Sequence, residues 1–476
     1  MLRTFFTGKT ISNFIYRIFL PILGILLPLL LVVINIPIAP LVTMTRMQLF
    51  ELFGFCMWAV LAINAYREIK THPGLSLKEK IVVLLPFLVS FYFLILLSEA
   101  FEPSWDYVQY ENAFRLIVQG GNPYASTRYL YPPPFAEGMA SLYGIGAWLF
   151  SSINSWLFVY YIHQCIQFFL TNLAYWLCIQ FADRLGFPKL EGMLIVSGLF
   201  LFNYPLFRTL GLNQINLYVL NAILIAALAL RSSPFLVGIA VAIGGLTKLY
   251  PFALTVPLLG MKKWKAILGV LSGVVIVVLI GRHLTLWKQF ISFYLSFPVE
   301  RESSLWFRNS STLSFTRNLI RFSGLPDVLI LPVFIVVASV VLGWMALRFF
   351  QREKLFQTLE SGIVADVYRN FGHLTDFSVL TLLLAPSAWD HHFVIALPLA
   401  LWAIALQGHV KPMQVGFGVV SIFVLPGFNI FPLSYLRLFG VILLLLVTPP
   451  TVLFDSTTVA KAWRGDLVAD EGTRLS

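Results

Sequence analysis

IVVLLPFLVSFYFLILLS, residues 81–98, is the stretch that decides the fold. It is a run of eighteen residues without a charge. At 1.5 Å rise per residue a helix of that length covers about 27 Å, close to the ~30 Å hydrocarbon layer of a bilayer. Backbone polar groups in hydrocarbon must pair within the segment, so the run reads as a transmembrane helix. Runs of the same kind recur to both sides of it. The chain has 476 residues, is 58% hydrophobic and only 12% charged, with a mean hydropathy of +0.83. A soluble domain carries roughly 25% charged residues. The reading is an all-α polytopic membrane protein, with about 12 to 14 crossings when half-spans are counted.

The net charge is +11. In a soluble chain that would suggest nucleic acid. Here the Lys and Arg side chains sort into loops on one side of the membrane, as the positive-inside rule requires, and no nucleic-acid partner is implied. Cys56, Cys165 and Cys178 all sit in apolar runs and read as packing residues, with no disulfide or metal framework. A first span at 17–35 keeps the N-terminus inside and lacks a cleavage site. A second at 49–66 leads to Arg67, Lys70, Lys78 and Lys80, a cytoplasmic loop.

Working outward from 81–98, the span at 80–98 then places the loop 99–155 outside. The segment 132–150 is apolar but interrupted by Gly138, Gly144 and Gly146, and it carries Glu137. It reads as a helix lying in the outer interface; a crossing there would invert everything downstream. Spans follow at 156–179, 192–207 and 215–230. Residues 235–260 are too long for one span and contain Gly244-Gly245, Lys248 and Pro251, so they read as a broken hairpin with its tip at 247–251. The span 266–281 runs out to a second large loop, 282–326. The span 328–347 returns to a cytoplasmic loop carrying Arg348, Arg352, Lys354 and Arg369. Residues 376–404 read as two half-spans around Pro386–His392. Spans at 413–428 and 435–453 complete the set. The domains expected are therefore 1–79, two helices and a cytoplasmic loop; 80–406, the core; 407–455, the last helices; and 456–476, a cytoplasmic tail.

Against this apolar background the ionisable residues stand out, because charge at membrane depth is costly and usually functional. Asp106 opens the first outer loop within Ser104-Trp105-Asp106-Tyr107. It reads as a general base toward a hydroxyl or as an ordinary interfacial carboxylate, and Glu99, Glu102 and Glu111 compete for the role. Lys248, in the broken hairpin, needs an anion such as phosphate, or snorkels to the surface. In Trp389-Asp390-His391-His392 a histidine would serve a phosphate or a leaving group, or pair internally with Asp390. Adjacent histidines point apart on a helix, which argues against a metal. Asn213, Gln214 and Asn216, and Asn309-Ser310-Ser311, suit hydroxyl recognition. Gly120-Gly121-Asn122-Pro123-Tyr124 reads as a tight turn, and Tyr129 and Tyr131 suit sugar stacking or an interfacial belt. No Gly-x-x-x-x-Gly-Lys-Ser/Thr loop is present, which argues against an ATP-driven pump.

Taken in order, these motifs resemble glycosyltransferase family 87, within the C-type (GT-C) superfamily of polytopic transferases. The ordered set is Asp106 with Tyr110, Gly120-Gly121-Asn122-Pro123-Tyr124, Tyr131-Pro132-Pro133, Gly211 to Asn216, Gly238 to Pro251, Asn309-Ser310-Ser311 and Ser387 to His392. It spans roughly residues 80–406. The resemblance implies a GT-C-like bundle and a hexosyltransferase. Its donor would be a polyprenyl-phosphate sugar, often mannose. Its acceptor would be a glycolipid or lipid-linked glycan on the outer face of a cell membrane. It assigns the catalytic aspartate to Asp106. Donor-phosphate binding goes to Lys248 and His391, with His392 beside it, and substrate contacts to Tyr110, Tyr124, Tyr131, Asn213, Gln214, Asn216, Trp389 and Asp390. The first two spans precede the usual start of the family, and Asn309-Ser310-Ser311 departs from its pattern. A divalent ion at the leaving phosphate would suit the chemistry, yet the sequence offers no ligand set, and no cofactor is expected. Two other readings use the same residues: a polymerase or ligase of lipid-linked glycans, and a lipid or sugar transporter that forms no bond.

Overall fold

The computed structural model describes residues 74, 76–99, 103–126, 129–149, 152–281, 284–296, 309–358, 363–406 and 411–450. The two N-terminal spans, Glu102 and the C-terminal tail expected above lie outside these residues. Among those described the regular structure is all helical, with one isolated β-bridge and no strand. The stretch 81–98 forms the body of helix α1, Leu77–Glu99. There follow α2 (Trp105–Val118), α3 (Pro123–Ser126), α4 (Pro133–Leu149), α5 (Ser152–Arg184), α6 (Lys189–Leu201), α7 (Tyr204–Gly211) and α8 (Asn216–Ala229). Next are α9 (Pro234–Thr247), α10 (Thr255–Gly260), α11 (Trp264–Gly281), α12 (Leu284–Ser296), α13 (Thr312–Phe322) and α14 (Ile330–Thr358). The series ends with α15 (Ile363–Leu384), α16 (Leu397–Ala405), α17 (Pro412–Val419) and α18 (Leu436–Val447). Four of the described helical stretches are long and apolar enough to cross a membrane: Leu77–Leu97, Ser155–Arg184, Trp264–Gly281 and Asp327–Gln357; a bent pair adds a fifth. The protein is an all-α polytopic membrane protein.

The bent pair replaces the single span expected at 192–207. α6 and α7 meet at 53°. Pro205 has no N–H to continue the helix. Asn203 stitches the break: its amide donates to the Leu199 carbonyl (2.9 Å), and its oxygen accepts the Leu206 N–H (2.8 Å). One orphan group at each cut helix end is thereby satisfied. The break that the sequence does announce, at Lys248, is present. α9 stops at Thr247, Lys248 is extended, and a 3-10 turn at Tyr250–Leu254 folds back. It folds back onto the Gly244-Gly245 face, where an added Cβ would strike Ala222 and the Phe252 ring.

α9 and α11 pack through small residues. A Cβ on Gly238 would collide with the Ala266 carbonyl, and one on Gly269 with the Phe235 carbonyl. Close backbone approach of this kind is how helices gain packing energy in lipid, where no hydrophobic drive separates them from the tails. Two further expectations differ. Residues 376–404 turn at 385–389, between α15 and α16, but the first arm is longer than expected: α15 begins at Ile363 and carries Asp376 in its interior. Arg348 and Arg352 do not sit in a loop but in α14, where both reach Asp376 at 2.8 Å. These charges pair across two helices instead of flanking one.

Candidate active site

Asp106 stands in the first turn of α2, where the helix dipole favours a negative charge. Ser104 caps the helix, its hydroxyl oxygen accepting the Tyr107 N–H (3.1 Å) while its O–H donates to the Leu212 carbonyl (2.6 Å). The Asn213 side chain accepts the Ser104 N–H (3.1 Å). The loop between α7 and α8 therefore holds the start of α2 by its backbone and by one amide. Asn213 itself adopts φ +54°, a left-handed conformation that Asn tolerates better than most residues. α5 fixes that loop from behind: His163 meets the Asn213 carbonyl (3.0 Å) and Gln167 donates to the Gln214 carbonyl (2.6 Å).

Gln214 has its oxygen turned to two phenols, accepting from Tyr110 (2.9 Å) and Tyr131 (3.3 Å). Its NH2 is thereby left to donate to the Asp106 carboxylate, with which it is hydrogen-bonded. Partial burial pushes the Asp106 pKa above the ordinary carboxylate range. The Gln214 hydrogen bond and the charges of Lys248 and Arg208 oppose this. A base tuned upward in this way is better matched to proton transfer near neutral pH than an ordinary aspartate.

Lys248 is only 5% exposed. Its ammonium donates to Asn216 Oδ1 and to His392 Nε2, each at 2.8 Å, and lies over the rings of Tyr131 (5.3 Å) and Tyr250 (5.1 Å). Because Nε2 of His392 accepts, its Nδ1 carries the proton. That N–H donates to the Tyr250 hydroxyl (3.1 Å), which in turn donates to the Ser387 carbonyl (3.3 Å). The imidazole is thus neutral. The Trp389 amide is also 3.3 Å from Nδ1, a contact that this tautomer leaves unmade. His391 takes part differently. Its carbonyl accepts from Asn216 (3.0 Å) and Thr209 (3.1 Å), and its ring packs edge-on against His392 at 4.5 Å. Of the two histidines, it is His392 whose ring is hydrogen-bonded to Lys248.

Asp390 pairs with Arg437 (3.0 Å), whose guanidinium lies over the Tyr204 ring (5.0 Å). Trp389 forms the β-bridge with Asn309. Asn309 accepts the Ala388 N–H (2.9 Å), the Ser310 N–H donates to the Ala388 carbonyl (2.8 Å), and Ser310 Oγ donates to the Ser434 carbonyl (2.9 Å). The Asn309-Ser310-Ser311 triplet braces the histidine turn. Tyr124 donates to the Tyr131 carbonyl (2.9 Å) and packs among Tyr129, Phe290 and Phe293. On its other side a cavity of about 350 Å3 is lined by Asn122, Tyr124, Lys288, Gln289 and Phe293, among others. Glu111 is held by Arg115. Among the described residues no three His, Cys, Asp or Glu side chains gather as a metal set.

The structure thus brings Asp106, Tyr110, Tyr131, Asn213, Gln214, Asn216, Lys248 and both histidines into one connected cluster. Arg208, Ser104, His163, Gln167 and Tyr250 join it without having been singled out in the sequence. His163 and Gln167 carried a usable signal, since two polar residues four apart share one face of an otherwise apolar helix.

A polytopic helical protein that gathers Asp106, Lys248 and two histidines at converging helix ends has the layout of a membrane-embedded transferase. Residues 129–365 match the model of glycosyltransferase family 87, and through them the chain belongs to that family: it is a membrane glycosyltransferase. The matched residues include Tyr131, Asn213, Gln214, Asn216 and Lys248. Asp106, Tyr124 and the histidine turn lie outside this stretch, which is shorter than the roughly 80–406 over which the motifs run. Among curated proteins and solved structures, no match was found.

Proposed function

We propose that the protein transfers a hexose, mannose being the sugar that its family resemblance favours, from a polyprenyl-phosphate sugar to a glycolipid or lipid-linked glycan on the extracytoplasmic face. The observation that carries this reading is that Asp106, in α2, lies within electrostatic reach of Lys248, in the break after α9, although the two are far apart in the chain. A base and a buried cation joined through Gln214 and Tyr131 match the two ends of a displacement at an anomeric carbon. The acceptor hydroxyl attacks that carbon and gives its proton to Asp106. The bond from the carbon to the phosphate oxygen breaks, and its electron pair stays on the phosphate. The phosphodiester anion becomes a phosphomonoester dianion, which Lys248 stabilises. One displacement inverts the configuration. A lipid phosphate is already an activated leaving group, so the reaction needs no nucleotide. The cavity beside Tyr124, with amide, ammonium and aromatic side chains, suits the acceptor glycan.

The test is product analysis. Purified protein in lipid nanodiscs is given a panel of labelled polyprenyl-phosphate hexoses and a membrane lipid extract. The expected result is a labelled glycolipid with inverted anomeric configuration from one donor. No new glycosidic bond with any donor would overturn the proposal, and movement of label across a bilayer without bond formation would point to a transporter.

A further inference from the structure

Arg208 belongs to α7, one residue before Thr209, whose hydroxyl holds the His391 carbonyl. Its own carbonyl accepts the Leu212 N–H (3.0 Å), and Leu212 in turn accepts the Ser104 hydroxyl. The residue therefore sits on the short backbone path between the histidine turn and the start of α2. Its charge acts on Asp106 and on His391. Its Nε is buried without a hydrogen bond. Among the described residues no carboxylate lies within ion-pair distance of its guanidinium, whereas Arg348 and Arg352 have Asp376, and Arg437 has Asp390. A buried guanidinium Nε–H left without an acceptor is under-satisfied, and the planar fork of the group suits a phosphate.

Charge balance points the same way. The imidazole of His392 is neutral, because it accepts from Lys248. With Asp106 ionised and Lys248 alone, a phosphodiester would leave the site one negative charge in excess. With Arg208 added, the site is neutral when the donor is bound. It stays neutral after transfer: the proton removed from the acceptor discharges Asp106 while the phosphate gains its second charge. No net charge then has to be created or moved across a low-dielectric site during the reaction.

We propose that Arg208 is the second cation of the donor-phosphate site, gripping the phosphate together with Lys248. This inference rests on the donor reading above. It is tested with two probes, polyprenyl phosphate and the matching uncharged polyprenol, measured as competitors of labelled donor binding to wild type, Arg208→Gln and Arg208→Lys. The expected result is a wild-type preference for the phosphate that falls at least tenfold in Arg208→Gln. In Arg208→Lys, which keeps the charge but loses the fork, it should fall at least threefold. A purely structural role would weaken both probes alike and leave their ratio unchanged. A wild-type preference retained in Arg208→Gln overturns the inference alone. Should Arg208→Gln not be recovered folded, Arg208→Lys decides, and a wild-type ratio there overturns it. A wild type that binds neither probe, or does not distinguish them, overturns the donor reading as well.

Discussion

At the scale of single residues the informative one is Gln214, because it speaks to both sides of the base. Two phenols fix its oxygen, so its amide nitrogen is committed to Asp106. That hydrogen bond favours the ionised carboxylate, against the burial that raises its pKa. In its proposed role as base Asp106 works when ionised, so the rate is expected to fall as pH drops through the Asp106 pKa. Gln214→Met removes a donor to the charged form and raises that pKa further. The acid limb of kcat/KM is therefore expected to move to higher pH, with the plateau on its alkaline side changed less. A limb that stays in place or moves down would show that Gln214 does not tune Asp106. Lys248 sits in the same network with its charge more deeply committed. Lys248→Met is expected to lower kcat/KM on the order of 100-fold, the loss of one strong charge-assisted contact to the leaving group. Retention of wild-type kcat/KM would remove Lys248 from the phosphate site.

At the scale of elements the frame is set by where helices break and how they are pinned. The sequence makes one break plain, at Lys248, because Gly244-Gly245 and Pro251 crowd around a lone charge. It hides the other. Pro205 was there to see, but the closing device is a single side chain, Asn203, that looks like any polar residue between apolar runs. Nor do Arg348, Arg352 and Asp376 reveal themselves, since charges that follow an apolar run look like a cytoplasmic loop until a second helix supplies the counter-ion. Arg208, near the end of an apolar run, carries no such signal either. His391 and His392 cannot be told apart by position in a motif; only the 3-10 geometry of the turn decides which ring meets Lys248. The α14–α15 pairing gives a stability prediction. Asp376→Ala leaves two buried guanidinium groups without their anion and is expected to cost about 3–5 kcal/mol. Thermal unfolding in detergent should show a clearly lowered midpoint, and an unchanged midpoint would mean that the pairing contributes little.

At the scale of the whole molecule, residues from α2, the α7–α8 loop, the α9 break and the turn before α16 come together at one site. The apolar runs made the membrane class legible, and the order of the motifs made the family legible. What joins them in space was not legible, because it depends on hydrogen bonds between residues about a hundred or more positions apart, such as Ser104 with Asn213 and Lys248 with His392. If the proposed topology holds, single cysteines at the exposed positions Gln119 and Pro386, in a background lacking the native cysteines, will label from outside intact cells. One at the exposed Lys262 will label only after the membrane is opened. Labelling of position 386 from the cytoplasm alone would break the shared site. The most direct test of the account is made on Asp106→Asn, by measuring donor binding and single-turnover transfer in the same preparation. The account predicts donor affinity within a few-fold of wild type and a transfer rate lower by about 100-fold or more; transfer at the wild-type rate would contradict it.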